Sequence, residues 1–126
     1  MTYKTDFARV AGLGSAKEGT GHWWGMRVTS VALIPLTVLA VIPLAQIIGG
    51  PREAVMATYA DPFNAIVAIL FLAVTFRHLQ QGLQVVIEDY VHGKAARTAA
   101  LLGNTMFCAV FGLTGVFAVA KIAFAG

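Results

Sequence analysis

The sequence predicts an all-α membrane protein with three transmembrane helices. Hydrophobic residues make up 58% of the 126 residues and charged residues only 12%, about half the share usual in globular proteins. Three apolar runs account for this composition, at 28–48, 62–87 and 98–120. Each run is long enough to cross a bilayer as a helix. A water-soluble domain with so few charges would expose large apolar patches, so that class is excluded.

The chain, 1–126, is predicted to form a single membrane-anchor domain. We expect a glycine-rich cytoplasmic segment over 1–24 and helices over about 25–48, 62–90 and 97–122. Trp23 and Trp24, next to the first apolar run, are typical of the aromatic belt at a membrane surface. Asp61-Pro62 predicts an N-cap followed by proline in the first turn of the second helix. Gly93 predicts the stop before the third helix.

Lysine and arginine residues indicate the orientation of the helices. Six lie in the N-terminal segment and the second loop, against two in the first loop and at the C-terminal end. Because positive residues accumulate on the cytoplasmic side, we expect the N-terminus in the cytoplasm and the C-terminus in the periplasm. The six are Lys4, Arg9, Lys17, Arg27, Lys94 and Arg97, and the two are Arg52 and Lys121.

Net charge and cysteine content exclude several other functions. The net charge of +3 does not indicate nucleic-acid binding, because the basic residues lie at the ends of apolar runs. The single cysteine, Cys108, cannot form an internal disulfide or a cysteine-ligated iron–sulfur cluster. The first apolar run is too long for a signal-peptide core, and the N-terminus does not have transit-peptide composition. We therefore expect a multi-pass protein of a bacterial inner membrane, or an already processed mature chain.

Two ionisable residues, Arg77 and His78, interrupt the second apolar run. Such residues are costly inside a bilayer and usually mark a functional site. Helical spacing puts His78, Gly82, Val85 and Asp89 on one stripe. The rise from His78 to Asp89 is about 16 Å, so His78 lies near mid-membrane and Asp89 at the cytoplasmic edge. Gly82 leaves room beside this stripe for a neighbouring helix or a flat macrocycle.

A neutral histidine at this depth has several possible roles. It can ligate haem iron, ligate another metal, relay protons or form a hydrogen bond to another helix. The chain offers no second buried histidine or carboxylate at that depth, which disfavours most metal sites. Haem needs only one or two axial ligands from protein. Spacing alone leaves haem ligation by His78 and a helix–helix hydrogen bond both open.

The other polar residues each have a structural and a functional interpretation. Asp89 and Tyr90 are either a loop cap and a belt residue or the hydrogen-bonding groups of a quinone site. Arg27 either extends its charge to the membrane surface or pairs with a haem propionate or a quinone site. Arg77 can pair with an anionic group such as a propionate or a lipid phosphate, or with a partner chain, because an arginine that faces lipid at this depth is costly. His22 and His92 are expected to be exposed interface residues.

Two motifs resemble those of a known family, the hydrophobic membrane anchor subunits of succinate dehydrogenase, or complex II. Residues 78–93 read HLQQGLQVVIEDYVHG. The family pattern has a histidine, a glycine four residues later, Gln-Val-hydrophobic, and Asp-Tyr at eleven and twelve. Residues 22–33 read HWWGMRVTSVAL and resemble the start of the family's first helix. The Tyr-Val-His-Gly ending resembles the alphaproteobacterial and mitochondrial branch.

The resemblance implies a role for several residues. His78 would supply one axial ligand of haem b, and the larger cytochrome b membrane subunit would supply the second. Tyr90 would donate a hydrogen bond to a ubiquinone carbonyl, with Asp89 beside it. Arg27 would lie near the haem propionates and the quinone. Several relatives have an apolar residue where this chain has Arg77, so no role carries over to that position.

The resemblance also implies the partners. The chain would belong to a larger heteromeric helix bundle, surrounded by membrane lipids. A flavoprotein subunit and an iron–sulfur subunit would dock on its cytoplasmic face, and flavin and clusters would lie there and not in this chain. The chain would be a non-autonomous subunit of the enzyme, sharing in ubiquinone reduction without housing succinate oxidation.

Two alternative functions remain. The first is a cofactor-free structural subunit of another respiratory membrane complex. The second is a small transporter or channel, which would require pore-lining polar residues on more than one helix. The polar residues of the third helix, Asn104, Thr105 and Thr114, are instead expected to form hydrogen bonds between helices.

Overall fold

The computed structural model of the chain describes residues 5–10 and 19–124. Within these ranges every element is helical and no strand occurs. The elements are α1 (Asp6–Val10), α2 (Gly19–Ile47), α3 (Arg52–Ala60), α4 (Pro62–Tyr90) and α5 (Lys94–Phe124).

Three of these helices are long and apolar enough to cross a membrane. They are the parts Thr20–Ile47 of α2, Pro62–Tyr90 of α4 and Lys94–Phe124 of α5. With 28, 29 and 31 residues, each is longer than the roughly 20 residues that a hydrocarbon core requires. The prediction of an all-α protein with three spans is confirmed.

The helix bounds differ from the expected ones mainly at the start of α2. This helix begins at Gly19 and not near 25, so Trp23 and Trp24 are helical. The sequence marks where apolar residues begin, whereas backbone hydrogen bonding continues into the polar membrane surface. The rest of the expected 1–24 segment contributes the short helix α1, and residues 1–4 and 11–18 lie outside the described residues.

The first loop contains a helix of its own. Gly49 has a φ of 77°, a left-handed conformation that glycine adopts without strain, and it ends α2. After the short helix α3, Asp61 Oδ1 accepts a hydrogen bond from Asn64 N at 3.0 Å. Pro62 occupies the first turn of α4, so the predicted N-cap is confirmed.

Helix α4 is the central span. It packs against both α2 and α5, whereas no Cα atoms of the described parts of α2 and α5 lie within 8 Å of each other. The contact with α5 is close because Gly112 faces Phe76, where a Cβ on the glycine would lie 3.2 Å from the Phe76 Cβ. Asn104 Nδ2 donates to Gln80 O at 2.9 Å, and Cys108 Sγ lies 3.5 Å from Asn104 Oδ1.

Most large apolar side chains point outward along all three spans. The buried apolar residues are few and mostly small: Ala40, Ile47, Ala65, Val67, Ala68 and Cys108. An exposed apolar surface of this extent is stable in lipid or against other membrane helices, and not in water.

Candidate functional site

The contact between α2 and α4 brings Thr29 and His78 together. Thr29 Oγ1 lies 2.9 Å from His78 Nδ1, across 49 residues of sequence. The same hydroxyl lies 2.9 Å from Gly25 O and 3.0 Å from Met26 O, in the preceding turn of its own helix. His78 is two residues past the midpoint of α4, which is about 3 Å along the helix axis. The helix–helix hydrogen bond expected as one role of this histidine is therefore present.

Gln81 and Gly25 hold the two helices close beside this pair. Gln81 is only 2% exposed, and its Oε1 lies 3.4 Å from Thr29 Oγ1. A Cβ on Gly25 would lie 2.6 Å from Gln81 Nε2, a separation that real Cβ atoms essentially never show. Glycine at position 25 therefore leaves the space that the buried Gln81 amide occupies, and this amide would have to move if a Cβ were added.

The second ring nitrogen of His78, Nε2, has no hydrogen-bond partner among the residues that the structure describes. Within the same ranges, the buried side-chain polar atoms without a partner are His22 Nε2 and Thr75 Oγ1. His78 Nε2 is not one of these buried atoms, and His78 as a whole is half-buried, so the described residues do not fully enclose this nitrogen. An accessible imidazole nitrogen held in the membrane interior is the donor that haem iron takes as an axial ligand.

Other metal sites fit the chain less well. Within 5–10 and 19–124, no three histidine, cysteine, aspartate or glutamate side chains come together. A metal ion bound at His78 would need its other ligands from outside this chain. Haem meets this condition, because the macrocycle itself supplies four nitrogen ligands and the protein supplies only the axial ones.

Gly82 lies open on the same helix, one turn from His78 toward the end of α4. No atom of another side chain or element lies within 4 Å of where its Cβ would be. The space beside it is therefore not filled by this chain. This agrees with the expectation that Gly82 leaves room for a group from outside.

The end of α4 presents Asp89 and Tyr90 on an exposed surface, and the Tyr90 side chain is 79% exposed. Arg97 fixes the backbone there, because its Nε donates to Val91 O and its Nη2 to Glu88 O, both at 3.0 Å. His92 Nδ1 lies 3.1 Å from Tyr90 O. The carbonyl groups of the helix end are thus partly satisfied, and the two side chains remain free to meet a ligand or a partner.

Arg27 is exposed and packs on its own helix. Its guanidinium carbon lies 4.2 Å from the centre of the Trp23 ring, a cation–π contact. Arg27 precedes Thr29 by two residues, which puts it about 200° round the helix from the face that meets His78. Within this chain, Arg27 and His78 are therefore not brought together.

Arg77 lies on the side of α4 that faces α5. Its Nη1 donates to Gln80 Oε1 at 2.6 Å, and its side chain is exposed. Both residues line an open groove of about 300 Å³ between α4 and α5, together with Thr105, Cys108 and other residues of α5. Arg77 and His78 thus point to different surroundings, although they are adjacent in sequence.

Several residues of the site were not identified from the sequence. Thr29 and Gln81 do not stand out by their spacing in the sequence. Gln81 could have been found as a polar residue one turn from His78, and Thr29 as a residue with a hydroxyl on the facing helix. His92 is exposed as expected, whereas His22 is half-buried, so its expectation was wrong. Asn104 does bond to another helix. Thr105 and Thr114 were predicted to do so, but they bond to carbonyls of their own helix, Leu101 O and Val110 O.

The fold and the site define a class, namely small membrane subunits that carry part of a site and depend on other chains to complete it. Residues 1–117 match the model of the family "Succinate dehydrogenase/Fumarate reductase transmembrane subunit". The chain belongs to this family, and within it to the hydrophobic membrane anchor subunits of succinate dehydrogenase.

Relatives from three organisms support this assignment. The chain is 38% identical over 122 residues to the succinate dehydrogenase hydrophobic membrane anchor subunit of Paracoccus denitrificans, covering 97% of this chain and 94% of the relative. It is 28% identical to the subunit of that name in Rickettsia conorii, covering 86% of each chain. It is 27% identical to the succinate dehydrogenase membrane anchor subunit of Reclinomonas americana, over 68% of this chain and 73% of that one. No solved structure matches the chain at a significant level.

The chain is therefore a membrane anchor subunit of succinate dehydrogenase, a multi-pass protein of the bacterial inner membrane. It is one part of an enzyme complex and not a self-contained enzyme. The resemblance expected from residues 22–33 and 78–93 is confirmed.

Proposed function

We propose that this anchor subunit helps to complete two sites that it shares with other subunits. Through His78 it supplies one axial ligand of haem b, and the larger cytochrome b membrane subunit supplies the other. Through Tyr90 and Asp89 it supplies part of the ubiquinone-reduction site. The observation that carries the proposal is the geometry of His78 near the middle of α4, where Nδ1 is held by Thr29 and Nε2 has no hydrogen-bond partner among the described residues.

The surroundings of His78 suit haem ligation. Thr29 holds the ring at one nitrogen, so the chain does not have to order the imidazole again when a ligand binds. Gly82 leaves open space beside the ring for a flat group. When bound, haem would supply a site that accepts and donates one electron. His78 would supply one protein ligand to the haem, and another subunit would supply the second.

The end of α4 suits the polar head of a quinone. Tyr90 ends the helix and lies about 18 Å along the axis from His78, at the membrane surface. Its hydroxyl can donate a hydrogen bond to a quinone carbonyl, and the neighbouring Asp89 carboxylate can pass protons from water. Reduction of a quinone takes up two protons, so a site at the wet end of a span is favourable.

The anchoring role follows from the orientation that the basic residues predict. With the N-terminus in the cytoplasm, Tyr90 and the loop after it face the cytoplasmic side. The iron–sulfur and flavoprotein subunits would dock on this side and deliver electrons to the quinone. Arg27 lies two residues, about 3 Å along α2, from the Thr29 that contacts His78, so it would lie nearer to the level of His78 than to Tyr90, within reach of a propionate or a quinone supplied by the assembled complex.

The difference spectrum of the purified complex, dithionite-reduced minus oxidised, tests the haem proposal. We expect a b-type band in the wild type, and we expect His78→Leu to remove or shift it. His92→Leu is the matched control, since His92 is an exposed histidine of the loop after α4, and its band should remain. An unchanged band in an assembled His78→Leu complex would contradict the proposal.

A second candidate function is a cofactor-free anchor. The hydrogen bond from His78 to Thr29 favours it, because this bond joins two helices without any ligand. The same spectrum decides between the two, since a cofactor-free anchor predicts no b-type band in the intact wild-type complex.

A further inference from the structure

We propose that Thr29 is the positioning residue of the haem site. Its hydroxyl oxygen accepts the Nδ1 hydrogen of His78 and thereby presents Nε2, with its lone pair, to the iron. This inference rests on the proposed haem ligation by His78. It adds a second residue, on a different helix, that controls the tautomer and the orientation of the ligand.

The groups around the Thr29 hydroxyl indicate which partner donates in the hydrogen bond between Thr29 and His78. Four groups lie within 3.4 Å of Oγ1, and three of them can only accept: Gly25 O, Met26 O and Gln81 Oε1. The hydroxyl has one hydrogen, and the two backbone carbonyls lie where a helical threonine normally donates it. The oxygen lone pairs then remain for a donor, and the fourth group, His78 Nδ1, is the one that can serve.

The tautomer of His78 follows from this direction. A neutral imidazole carries one hydrogen on its two nitrogens. If Nδ1 donates to Thr29, Nε2 has a lone pair and can bind a metal ion without losing a proton. This is also the nitrogen that has no hydrogen-bond partner among the described residues. The nitrogen with the lone pair and the nitrogen without a partner are therefore the same atom.

The position of Thr29 is itself fixed. Threonine is branched at Cβ and has few rotamers in a helix, and two carbonyls of the preceding turn hold its hydroxyl. The buried amide of Gln81 closes the contact beside it, in the space that Gly25 leaves. The His78 ring is thus held by a rigid group on the facing helix and not by a flexible side chain.

A hydrogen bond at Nδ1 changes the electronic character of the ligand. The acceptor draws the Nδ1 hydrogen toward itself and makes Nε2 a stronger electron donor. A stronger donor stabilises ferric over ferrous iron and so lowers the reduction potential of the haem. Loss of such a partner typically weakens metal binding by about 10- to 100-fold.

The test uses Thr29→Val and Thr29→Ser in the purified whole complex. Valine keeps the shape of threonine and removes the acceptor, whereas serine keeps the hydroxyl. Thr37→Val is the matched control, because Thr37 is an exposed threonine of the same helix, about two turns away. Haem content per complex, the midpoint potential of the b-type band, and the largest g value of the ferric haem are measured for each.

We expect Thr29→Val to raise the midpoint potential, shift the g value and bind haem more weakly. Thr29→Ser should restore most of the wild-type behaviour, and Thr37→Val should equal the wild type. Haem lost from Thr29→Val but retained in Thr29→Ser also supports the inference. Equal potentials in wild type and Thr29→Val, or equal changes in the valine and serine variants, would overturn it.

A wrong role for Thr29 can be distinguished from failure of the underlying proposal that His78 binds haem. If the wild-type complex has a b-type band that His78→Leu removes, and Thr29→Val leaves the potential and g value unchanged, only the role of Thr29 is wrong. If the wild type has no band, or His78→Leu retains it, both are wrong.

Discussion

Polar side chains within the spans bond in two different ways. Thr105 and Thr114 donate to carbonyls of their own helix, at 3.0 and 2.7 Å, which hides their hydroxyls from lipid. Thr29 and Asn104 instead reach α4 from the two flanking helices, each at 2.9 Å. Two residues of similar polarity can therefore have different roles, and only the second kind joins helices.

Tyr90 permits a separation of the quinone site from the electron-donating subunits. We expect Tyr90→Phe to lower kcat/KM for ubiquinone by about tenfold, the cost of one lost hydrogen bond to the substrate. Succinate oxidation with an artificial acceptor that does not use the quinone site should be unaffected. Tyr59→Phe, in the half-buried α3 tyrosine, is the control and should resemble wild type in both assays. Normal ubiquinone reduction by Tyr90→Phe would remove this residue from the proposed site.

At the scale of the helices, α4 is fixed at both ends and on both sides. Asp61 caps its first turn, and Arg97 binds the carbonyls of its last turn. A cation at this end also interacts favourably with the helix dipole. The candidate ligand and the candidate quinone residues all lie on this one helix, so their spacing is set by a rigid element.

Gly25 leaves space for the buried amide of Gln81 between α2 and α4. We expect Gly25→Ala to destabilise the complex by about 1–3 kcal/mol, because the added methyl overlaps this amide, which must then shift within a closely packed contact. The melting temperature of the purified complex measures this effect. Gly21→Ala is matched, since a Cβ there has nothing within 4 Å. It should be neutral or slightly stabilising through helix propensity.

A Gly25→Ala complex as stable as Gly21→Ala would show that the close approach is not required. The haem absorbance of the same samples gives an independent reading. Displacement of Gln81 should also loosen His78, so the b-type band should weaken in Gly25→Ala and not in Gly21→Ala.

Some features of these helices could be predicted from sequence and others could not. The apolar runs predict the spans, and Asp61-Pro62 predicts the cap, because both depend on neighbouring residues only. Thr29 and His78 are 49 residues apart in sequence, and their contact depends on how each of the two helices is rotated about its axis. Because α2 is apolar on nearly all sides, its sequence does not reveal this rotation. The site residues on α4 could be proposed from spacing, whereas their partner on α2 required coordinates.

For the whole molecule, α4 is the span that packs against both of the others. The backbones of the described parts of α2 and α5 do not approach closely, and much of the surface of all three helices faces outward. The space beside Gly82 is also unfilled by the described residues, and His78 Nε2 has no hydrogen-bond partner among them. This is the arrangement expected of a subunit whose sites lie at contacts with other chains.

The orientation of the three spans in the membrane can be tested by cysteine accessibility. In a Cys108→Ala background, Ala57→Cys in α3 and Ala95→Cys at the start of α5 both place a thiol on an exposed position. With the N-terminus in the cytoplasm, a membrane-impermeant maleimide should label Ala57→Cys in spheroplasts. It should label Ala95→Cys only after permeabilisation.

Labelling of each variant in denaturing detergent normalises the result for the reactivity of the thiol. The reverse pattern would put the loop after α4 in the periplasm. The predicted location of Tyr90 at the cytoplasmic surface would then be wrong as well.

The two sets of bonds made by Thr29 bear on the order in which the protein is made. Helix α2 leaves the ribosome before α4 exists, so it must first enter the bilayer without the long helix against which its described part packs. During this interval the Thr29 hydroxyl donates to carbonyls of its own helix, and no donor is left unpaired in lipid. An acceptor lone pair without a hydrogen-bond partner in lipid costs far less free energy than an unpaired donor. Thr29 thus allows α2 to insert alone and still accept a hydrogen bond from His78 once α4 has inserted.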